Sequence, residues 1–147
     1  MAEYIHLEVV TPERAVLSED VDDVILPGIL GQMDILPGHL PLLTLLDIGG
    51  IVARRDGKER HFLINRGYAE ILGNRVTVLT EHCEGVNEID VEQARERLKA
   101  AEEEVARLEE LSKTEAVEED LFELHRTALK RERMRLAFAE EGEGEEG

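Results

Sequence analysis

Apolar and polar residues alternate with a period of two over much of the first part of the chain, which is the pattern of half-buried β-strands. The clearest case is YIHLEV at residues 4–9, in which Ile, Leu and Val occupy every second position. Further strand-like runs are separated by Asp-Gly at 56–57 and by Gly-Asn at 73–74, dipeptides that are typical of tight hairpin turns. Many short strands with turn residues between them predict an antiparallel β-sandwich or barrel over residues 1–86.

The hydrophobic period lengthens after residue 90 to that of an amphipathic helix. Successive apolar positions from Val91 to Leu108 are separated by 3, 4, 3, 4 and 3 residues, which is the narrow seam of a helix that packs against one other helix. Asp90 followed by Gln93 matches an N-terminal capping box. The pattern therefore predicts a first helix that ends near Leu111.

A second predicted helix, near residues 116–140, has a seam that changes from apolar to basic. Ser112 followed by Glu115 predicts its capping box. The predicted seam positions are Leu121, Leu124, Ala128, Arg131, Arg135 and Phe138. The short connection predicts an antiparallel two-helix hairpin over residues 87–140. The acid-and-glycine segment 141–147 predicts a disordered tail.

The segment ILPGHLPLLTLL at 35–46 contains no Asp, Glu, Lys or Arg in a chain that is 35% charged. One interpretation is that its leucines supply the sandwich core, with Pro37 and Pro41 at strand edges. The leucines concerned are Leu40, Leu42, Leu43, Leu45 and Leu46. The neighbouring loop at 26–33 is also apolar, and a clustered apolar patch on a surface loop predicts contact with a partner.

Charge and cysteine content limit the kinds of partner and compartment that are expected for this protein. The chain has 34 Asp and Glu residues against 17 Lys and Arg, a net charge of −17, and the acidity is spread over both halves. This argues against a nucleic-acid partner, which requires a basic surface. Cys83 is the only cysteine, which suits a reducing compartment. No run of about 20 apolar residues predicts a membrane span, so direct membrane insertion is not expected.

The sequence contains few residues that suggest a catalytic, metal or phosphate site. The five histidines have no paired spacing with cysteine or acidic residues, so no metal site is predicted. Ser18 and Ser112 are the only serines, and neither has a sequence context that supports a nucleophilic triad. No glycine-rich phosphate loop is present. The residues by themselves predict a binding or coupling protein without catalytic residues or a cofactor.

The segment ILPGHLPLLT resembles the signature of the epsilon subunits of F-type ATP synthases, in which a Gly-x-x-Gly loop precedes an Ile-Leu-Pro-Gly-His segment. LEVVTPERAVLSEDVDDVILPG, RGYAE at 66–70 and RVTVLTEH at 75–82 are similar to further strands of that family. The resemblance covers residues 3 to about 139. Asp34 replaces the second glycine of the family loop, which predicts a shift of that loop.

This resemblance implies a β-sandwich followed by a helical hairpin, on the central rotor of a membrane-bound ATP synthase. The implied partners are the gamma subunit, the c subunits of the membrane rotor ring, and the alpha and beta subunits of the catalytic head. The implied location is peripheral, on the cytoplasmic face of the bacterial inner membrane. The residues implied at the rotor-ring and gamma interface are Leu30, Gly31, Gln32, His39 and Leu40.

In the family, the hairpin inhibits ATP hydrolysis through basic residues of its second helix. The residues of matching type here are Arg126, Lys130, Arg131, Arg133 and Arg135. Without an anion between them, Arg131 and Arg135 are expected to repel each other and to strain the folded hairpin.

Some bacterial members of the family also bind ATP at the hairpin root as a regulatory ligand. The implied contacts are Glu84, Asp90, Arg131 and Arg135. Gln93 stands where those members have an arginine, and loss of a charged donor predicts weaker binding. A free-standing ATP-sensing module remains the alternative function.

Overall fold

The structure is a computed structural model that describes residues 3–39 and 41–145, with side chains described as far as residue 140. The chain divides into two compact units, Met1–Val86 and Asn87–Gly147. The first unit contains the strands β1 (Ile5–Val10), β2 (Ala15–Val21), β3 (Asp23–Gly28), β4 (Gly31–Ile35), β5 (Leu42–Leu46), β6 (Gly49–Arg55), β7 (Lys58–Ile64), β8 (Gly67–Leu72), β9 (Arg75–Thr80) and β10 (Cys83–Gly85). The second unit contains the helices α1 (Val91–Leu111) and α2 (Glu119–Glu145).

The ten strands pair in the order β10-β7-β6-β3-β5-β8-β9-β1-β2, and β4 pairs with β3 alone. The predicted fold class, a sandwich followed by two helices, is confirmed. One detail differs from the prediction, because β1 pairs with β9 in parallel while the other pairs are antiparallel. A parallel pair requires a long crossover, and seven other strands lie between these two in the chain.

The alternation in β1 places its apolar side chains in the core, as predicted. Ile5, Leu7 and Val9 are at most 1% exposed. They belong to one cluster of buried aliphatic residues that draws on β3, β6, β8 and β9 as well. Burial of such side chains from facing strands is the main source of stability for a sandwich.

Both predicted hairpin turns are present. Asp56 and Gly57 connect β6 to β7 with φ values of 52° and 79°, which is the type I′ geometry that Asp-Gly favours. Gly73 connects β8 to β9 with φ of 61°, which suits the first central position of a type II′ turn. These turns fix the register of the strands on either side.

The first helix begins and ends where the sequence predicts. The Asp90 side chain caps it and accepts a hydrogen bond from the Gln93 backbone N–H at 3.0 Å. The predicted cap at Ser112 is wrong, since Ser112 lies at the C-terminus of α1 and its Oγ donates to the carbonyl of Glu109 at 2.7 Å. A serine hydroxyl can accept from a free N–H at the start of a helix or donate to a free carbonyl at its end. Sequence spacing does not distinguish these two positions.

The second helix extends further than predicted. It begins at Glu119 rather than near residue 116 and continues through Glu145, into the segment 141–147 that was predicted to be disordered. Helix propagation adds one hydrogen bond for each residue fixed, so an established helix extends more readily than composition suggests. Residues 146–147 lie outside the described residues.

The buried face of α2 agrees with the predicted seam at Arg135 but differs from it at the leucines. Its most buried side chains are Phe122, Glu132, Arg135 and Ala139. The predicted seam residues Leu121 and Leu124 are 38% and 64% exposed. Helix α1 contributes Ala94, Ala101, Val105 and Leu108. The small alanines of α1 leave room for the long side chains of α2. The spacing of apolar residues within one helix does not predict how its side chains pack against another helix.

Candidate functional site

The hairpin between β3 and β4 carries an apolar tip. Leu30 is 100% exposed and Ile29 is 57% exposed. A side chain at Gly28 would place its Cβ 2.6 Å from the carbonyl oxygen of Gly31, so the turn requires glycine at that point. The Ile29 backbone N–H donates to the carbonyl of Leu45 at 3.0 Å. The tip therefore projects from a backbone that is fixed to its neighbour strand.

Asp34 belongs to the second strand of the β3–β4 hairpin. It lies within β4, directly opposite Ile25 of β3, in extended conformation. An extended backbone accepts any residue, so the glycine of the family motif is not needed at this position. Gly31 and Gln32, both predicted interface residues, are exposed on the same hairpin as Leu30.

The Pro-Gly-His segment forms a tight turn between β4 and β5. The His39 backbone N–H donates to the carbonyl of Leu36 at 3.2 Å, and Gly38 has φ of 83°. Proline followed by glycine with positive φ is the sequence of a type II turn. The Gly38 N–H donates to Asn74 Oδ1 at 3.0 Å, which attaches the turn to the β8–β9 turn. Leu40, also predicted at the interface, lies outside the described residues.

The leucines after this turn are not mainly core residues, so that interpretation is wrong. Leu43 is 70% exposed, Leu45 is 46% exposed and Leu42 is 38% exposed, whereas Leu46 is 2% exposed. Alternate residues of a strand point to opposite faces, so a continuous apolar run in β5 covers both faces. Because such a run has no alternation, the sequence does not reveal that one of its faces is exposed.

The exposed face of β5 continues across three more strands. Leu45 lies opposite Tyr68 in β8, Tyr68 lies opposite Leu79 in β9, and Leu79 lies opposite Val10 in β1. Tyr68 is 54% exposed and Leu79 is 51% exposed. We call Val10, Leu45, Tyr68 and Leu79 the apolar row. A groove of about 350 Å³ lies along it, lined by Val10, Thr11, Pro12, Tyr68, Leu79, Thr80 and Glu81.

Sequence reasoning missed the apolar row because its members are far apart in the chain and meet only through strand pairing. A contiguous exposed apolar patch marks a surface for a partner more often than isolated surface leucines do. Tyrosine and leucine side chains in a shallow groove are also the residue types that anchor protein interfaces. The geometry of this face therefore suits protein docking.

A charged network lies at the base of the β3–β4 hairpin. Arg54 Nη1 is 3.3 Å from Asp23 Oδ2, and Arg54 Nε donates to Glu59 Oε1 at 2.9 Å. Asp34 Oδ2 lies 4.0 Å from the same guanidinium. Burial, together with a hydrogen bond and the charge of Asp34, raises the pKa of Asp23 from 3.8 to about 6. The hydrogen bond to Arg54 lowers the pKa of Glu59.

Ser18, His6 and Asp20 have the connectivity of a nucleophilic triad, which was not expected from the sequence. His6 Nε2 is 3.0 Å from Ser18 Oγ, and His6 Nδ1 is 3.0 Å from Asp20 Oδ1. The side chains of His6 and Asp20 are 34% and 54% exposed, and Glu8 lies opposite Ser18. Acyl transfer requires donors directed at a developing oxyanion, and a carboxylate beside the serine opposes that charge. The contacts are accounted for by cross-strand pairing.

The root of the helical hairpin holds a second charged network, within the second unit. Glu132 is 1% exposed and Arg135 is 5% exposed. Arg135 Nη1 donates to Glu132 Oε2 at 2.8 Å, and Arg131 Nε donates to Glu132 Oε1 at 3.5 Å. Arg135 Nη2 also donates to Gln93 Oε1 on α1 at 3.4 Å. The condition for repulsion between the two arginines is therefore not met, because both donate to the Glu132 carboxylate.

The predicted ATP contacts do not all lie in one unit. Asp90 is engaged as the cap of α1, and Arg131 and Arg135 bind Glu132. Glu84 belongs to β10 of the first unit, with its side chain 12% exposed and its Oε2 3.8 Å from His82 Nε2.

The predicted inhibitory residues differ in exposure. Lys130 and Arg133 are exposed, whereas Arg135 is buried within the hairpin and is not presented to a partner in this conformation. Arg126 lies over the Phe122 ring, 4.8 Å from its centroid, and its Nη1 is 3.2 Å from Glu119 Oε1. Surface ion pairs of this kind exchange partners at little cost.

Two further features of the described residues bear on function. None of the helices in this part of the chain combines the length and the apolar character that crossing a membrane requires. Within the same residues, no group of three or more His, Cys, Asp or Glu side chains is arranged to hold a metal ion.

Comparison with known proteins gives consistent matches. Residues 4–86 match the family model of the ATP synthase delta/epsilon chain, beta-sandwich domain. The chain is 41% identical over 139 residues to the ATP synthase epsilon chain of Geotalea uraniireducens, covering 95% of this chain and 96% of that protein. It is 48% identical over 107 residues to the ATP synthase epsilon chain of Carboxydothermus hydrogenoformans, covering 73% and 80%.

Two solved structures share the fold. A chain in the cryo-EM structure of the Euglena gracilis mitochondrial ATP synthase OSCP/F1/c-ring gives a TM-score of 0.75 at 21% identity, covering 91% of this chain and 80% of that chain. A chain in the Tetrahymena thermophila mitochondrial ATP synthase central stalk/c-ring structure gives 0.65 at 12% identity, covering 93% and 97%. At these identities the likeness concerns the fold.

Proposed function

The chain belongs to the ATP synthase epsilon chain family, and from that premise we propose that it couples ion flow through the membrane rotor ring to ATP synthesis in the catalytic head. In this role it is a non-catalytic subunit of the central stalk, bound peripherally at the cytoplasmic face of the bacterial inner membrane. The observation that carries the proposal is the pair of exposed apolar surfaces on the β-sandwich, at the apolar row and at the β3–β4 tip.

The apolar row is the proposed docking surface for the gamma subunit. Its exposed leucine and tyrosine side chains form one line across four strands, beside a groove of about 350 Å³. In a chain of net charge −17, a face with this composition favours burial against another protein over solvation. The strands hold these side chains in place before docking, so little conformational entropy is lost on binding.

The tip of the β3–β4 hairpin is the proposed contact with the c subunits of the rotor ring. Leu30, Gly31 and Gln32 are exposed, uncharged and carried on a hairpin that is hydrogen-bonded to β5. The Pro-Gly-His turn, with His39, is held by Asn74. A rigid, weakly charged projection suits transmission of torque, because it docks without first ordering a loop.

The helical hairpin is the proposed inhibitory element. Lys130 and Arg133 are exposed on α2, and Arg126 is held by surface ion pairs. These surface cations can contact acidic segments of the alpha and beta subunits when the hairpin extends toward the catalytic head. Arg131 is half-buried, so it contributes to such contacts less than the exposed cations do.

Regulation by ATP and the alternative of a free-standing ATP sensor receive less support. Three of the four residues expected to contact the nucleotide are already engaged within the hairpin. The apolar row and the exposed tip have no use in a free sensor, whereas a stalk subunit requires surfaces of this kind.

Purification of the tagged chain from its native membrane tests the proposal. The expected result is recovery of gamma, alpha, beta and c subunits in an assembly that hydrolyses ATP. Direct binding of the isolated chain to purified gamma subunit then identifies the primary partner. Recovery of the chain without gamma, or turnover of a substrate by the chain alone, overturns the proposal.

A further inference from the structure

Glu132 is a fully buried carboxylate in the hairpin of a strongly acidic chain. Its side chain is 1% exposed, and both of its oxygens accept from arginines: Oε2 from Arg135 at 2.8 Å and Oε1 from Arg131 at 3.5 Å. Burial of an ionised carboxylate is costly unless charged donors surround it. Arg135 is itself buried and reaches Gln93 of α1 at 3.4 Å, so the network joins the two helices.

We propose that Glu132 is a built-in counter-ion that keeps the hairpin closed without any bound anionic ligand. Two arginines four residues apart share one helix face and present guanidinium forks of the kind that bind phosphate groups. Here both guanidinium groups are directed at the same carboxylate of their own helix. The chain itself therefore supplies the negative charge that a phosphate-bearing ligand would bring. This inference concerns the second unit alone and is independent of the rotor function.

Competition favours the internal carboxylate over a free anion. Glu132 lies next to Arg131 in sequence and one helical turn from Arg135, so its effective concentration exceeds the roughly millimolar value of a flexibly tethered ligand. A free phosphate must also approach a chain of net charge −17. An anion at millimolar concentration therefore does not displace it, and closure of the hairpin is insensitive to nucleotide.

Removal of the carboxylate should convert the same arginines into an anion site. Glu132→Ala removes the carboxylate that both guanidinium groups bind and opens space beside them. The matched control is Glu123→Ala, which removes the same charge from the same helix in an exposed pair with Arg126. Each full-length protein is unfolded thermally, with the helical signal followed by circular dichroism, in chloride and in millimolar inorganic phosphate or ATP at equal ionic strength.

The wild type and Glu123→Ala should lose their helical signal at temperatures that phosphate and ATP leave unchanged. Glu132→Ala should unfold at a temperature lower by roughly 10 °C, and the two anions should restore part of that loss. Stabilisation of the wild type by ATP or phosphate to the same extent overturns the proposal. A Glu132→Ala variant that unfolds like the control, or that no anion restores, also overturns it.

Two further variants keep the test decisive if Glu132→Ala does not fold. Glu132→Gln keeps the shape of the side chain and removes only its charge, so it should show a smaller loss with the same response to anions. The triple variant with Glu132→Ala, Arg131→Leu and Arg135→Leu removes both signs of charge. It should regain stability in chloride and respond to neither anion, whereas a response of the triple variant to phosphate would contradict an arginine-based site.

Discussion

Tyr68 of β8 lies directly opposite Leu79 of β9, and both side chains are more than half exposed at the centre of the apolar row. Neighbouring side chains on one face of an antiparallel pair contact each other. In the isolated chain this contact shields only part of their apolar surface from water. The pair therefore has stabilisation to gain from a partner, which makes it the natural anchor of the proposed gamma interface.

Replacing this pair should weaken binding to gamma without unfolding the chain. Tyr68→Ser with Leu79→Ser removes two interface anchors, and we expect at least a tenfold rise in the Kd for purified gamma, measured by titration calorimetry. The thermal stability of the isolated chain should change little, because both side chains are exposed. Leu124→Ser, at an exposed leucine of α2, is the control and should bind gamma normally. Equal affinity for the pair variant and the control would exclude this face.

The β3–β4 tip should act on a different partner. Leu30 is 100% exposed, so Leu30→Ser should change the free energy of unfolding by less than about 0.5 kcal/mol. We expect this variant to bind gamma normally but to bind the c ring less tightly when part of a gamma–epsilon complex. The variant with Tyr68→Ser and Leu79→Ser should bind gamma less tightly, and its contact with the c ring should be unaffected. If both variants weakened the same contact, the two surfaces would not have separate roles.

Asp23 should make stability depend on pH. Its pKa rises from 3.8 to about 6 on folding, so the folded state retains a proton that the unfolded state has released between these values. This contribution to stability is fully present below pH 3.8 and is lost as the pH rises through about 6. The shift corresponds to at most roughly 3 kcal/mol, for a side chain that is 11% exposed.

Asp23→Asn isolates this effect. The free energy of unfolding is measured with urea between pH 3 and pH 8. As the pH rises from about 4 to 6, the stability of the variant should increase relative to that of the wild type, and the difference should persist at higher pH. Asp56→Asn is the control, because Asp56 is exposed in the β6–β7 turn and asparagine accepts its positive φ. A stability difference between Asp23→Asn and the wild type that stays constant with pH would contradict the assignment.

Gly67 has no room for a side chain. A Cβ at this position would lie 2.0 Å from the carbonyl oxygen of Leu79, and φ is 154°. Gly67→Ala should therefore destabilise the sandwich by about 3 kcal/mol, because a backbone atom cannot move aside as a side chain would. Gly73→Ala has positive φ but open space around its Cβ, so it should cost only about 1 kcal/mol. Chemical denaturation of both variants tests the order.

Truncation tests the inhibitory role of the hairpin. A chain lacking residues 88–147 retains the whole sandwich unit, so it should fold, bind gamma and support assembly. The complex should hydrolyse ATP faster than the complex with the full chain. Lys130→Glu with Arg133→Glu should raise hydrolysis in the same direction, because it reverses the exposed charges on α2. Arg95→Glu with Arg97→Glu, at two exposed arginines of α1, is the charge-matched control, and an equal effect of the control would show that the response is not specific to α2.

The sequence by itself determined the elements whose cause is local. Alternation over residues 4–9 predicted β1, the Asp-Gly and Gly-Asn dipeptides predicted two hairpin turns, and the spacing after Asp90 predicted α1 with its cap. Each depends on side-chain periodicity or on a φ preference within a few residues. The ILPGHLPLLT segment was specific enough to indicate the family, and the comparisons confirm it.

Only the tertiary structure decided which side chains meet. Leu45, Tyr68 and Leu79 form a row because three strands pair in one register, and a shift of one residue would turn each to the other face. The burial of Glu132 between two arginines depends on how α2 is rotated about its axis relative to α1. The seam predicted from Leu121 and Leu124 placed the wrong face of α2 inside. Register and helix rotation are set by packing between distant segments, and no local pattern records them.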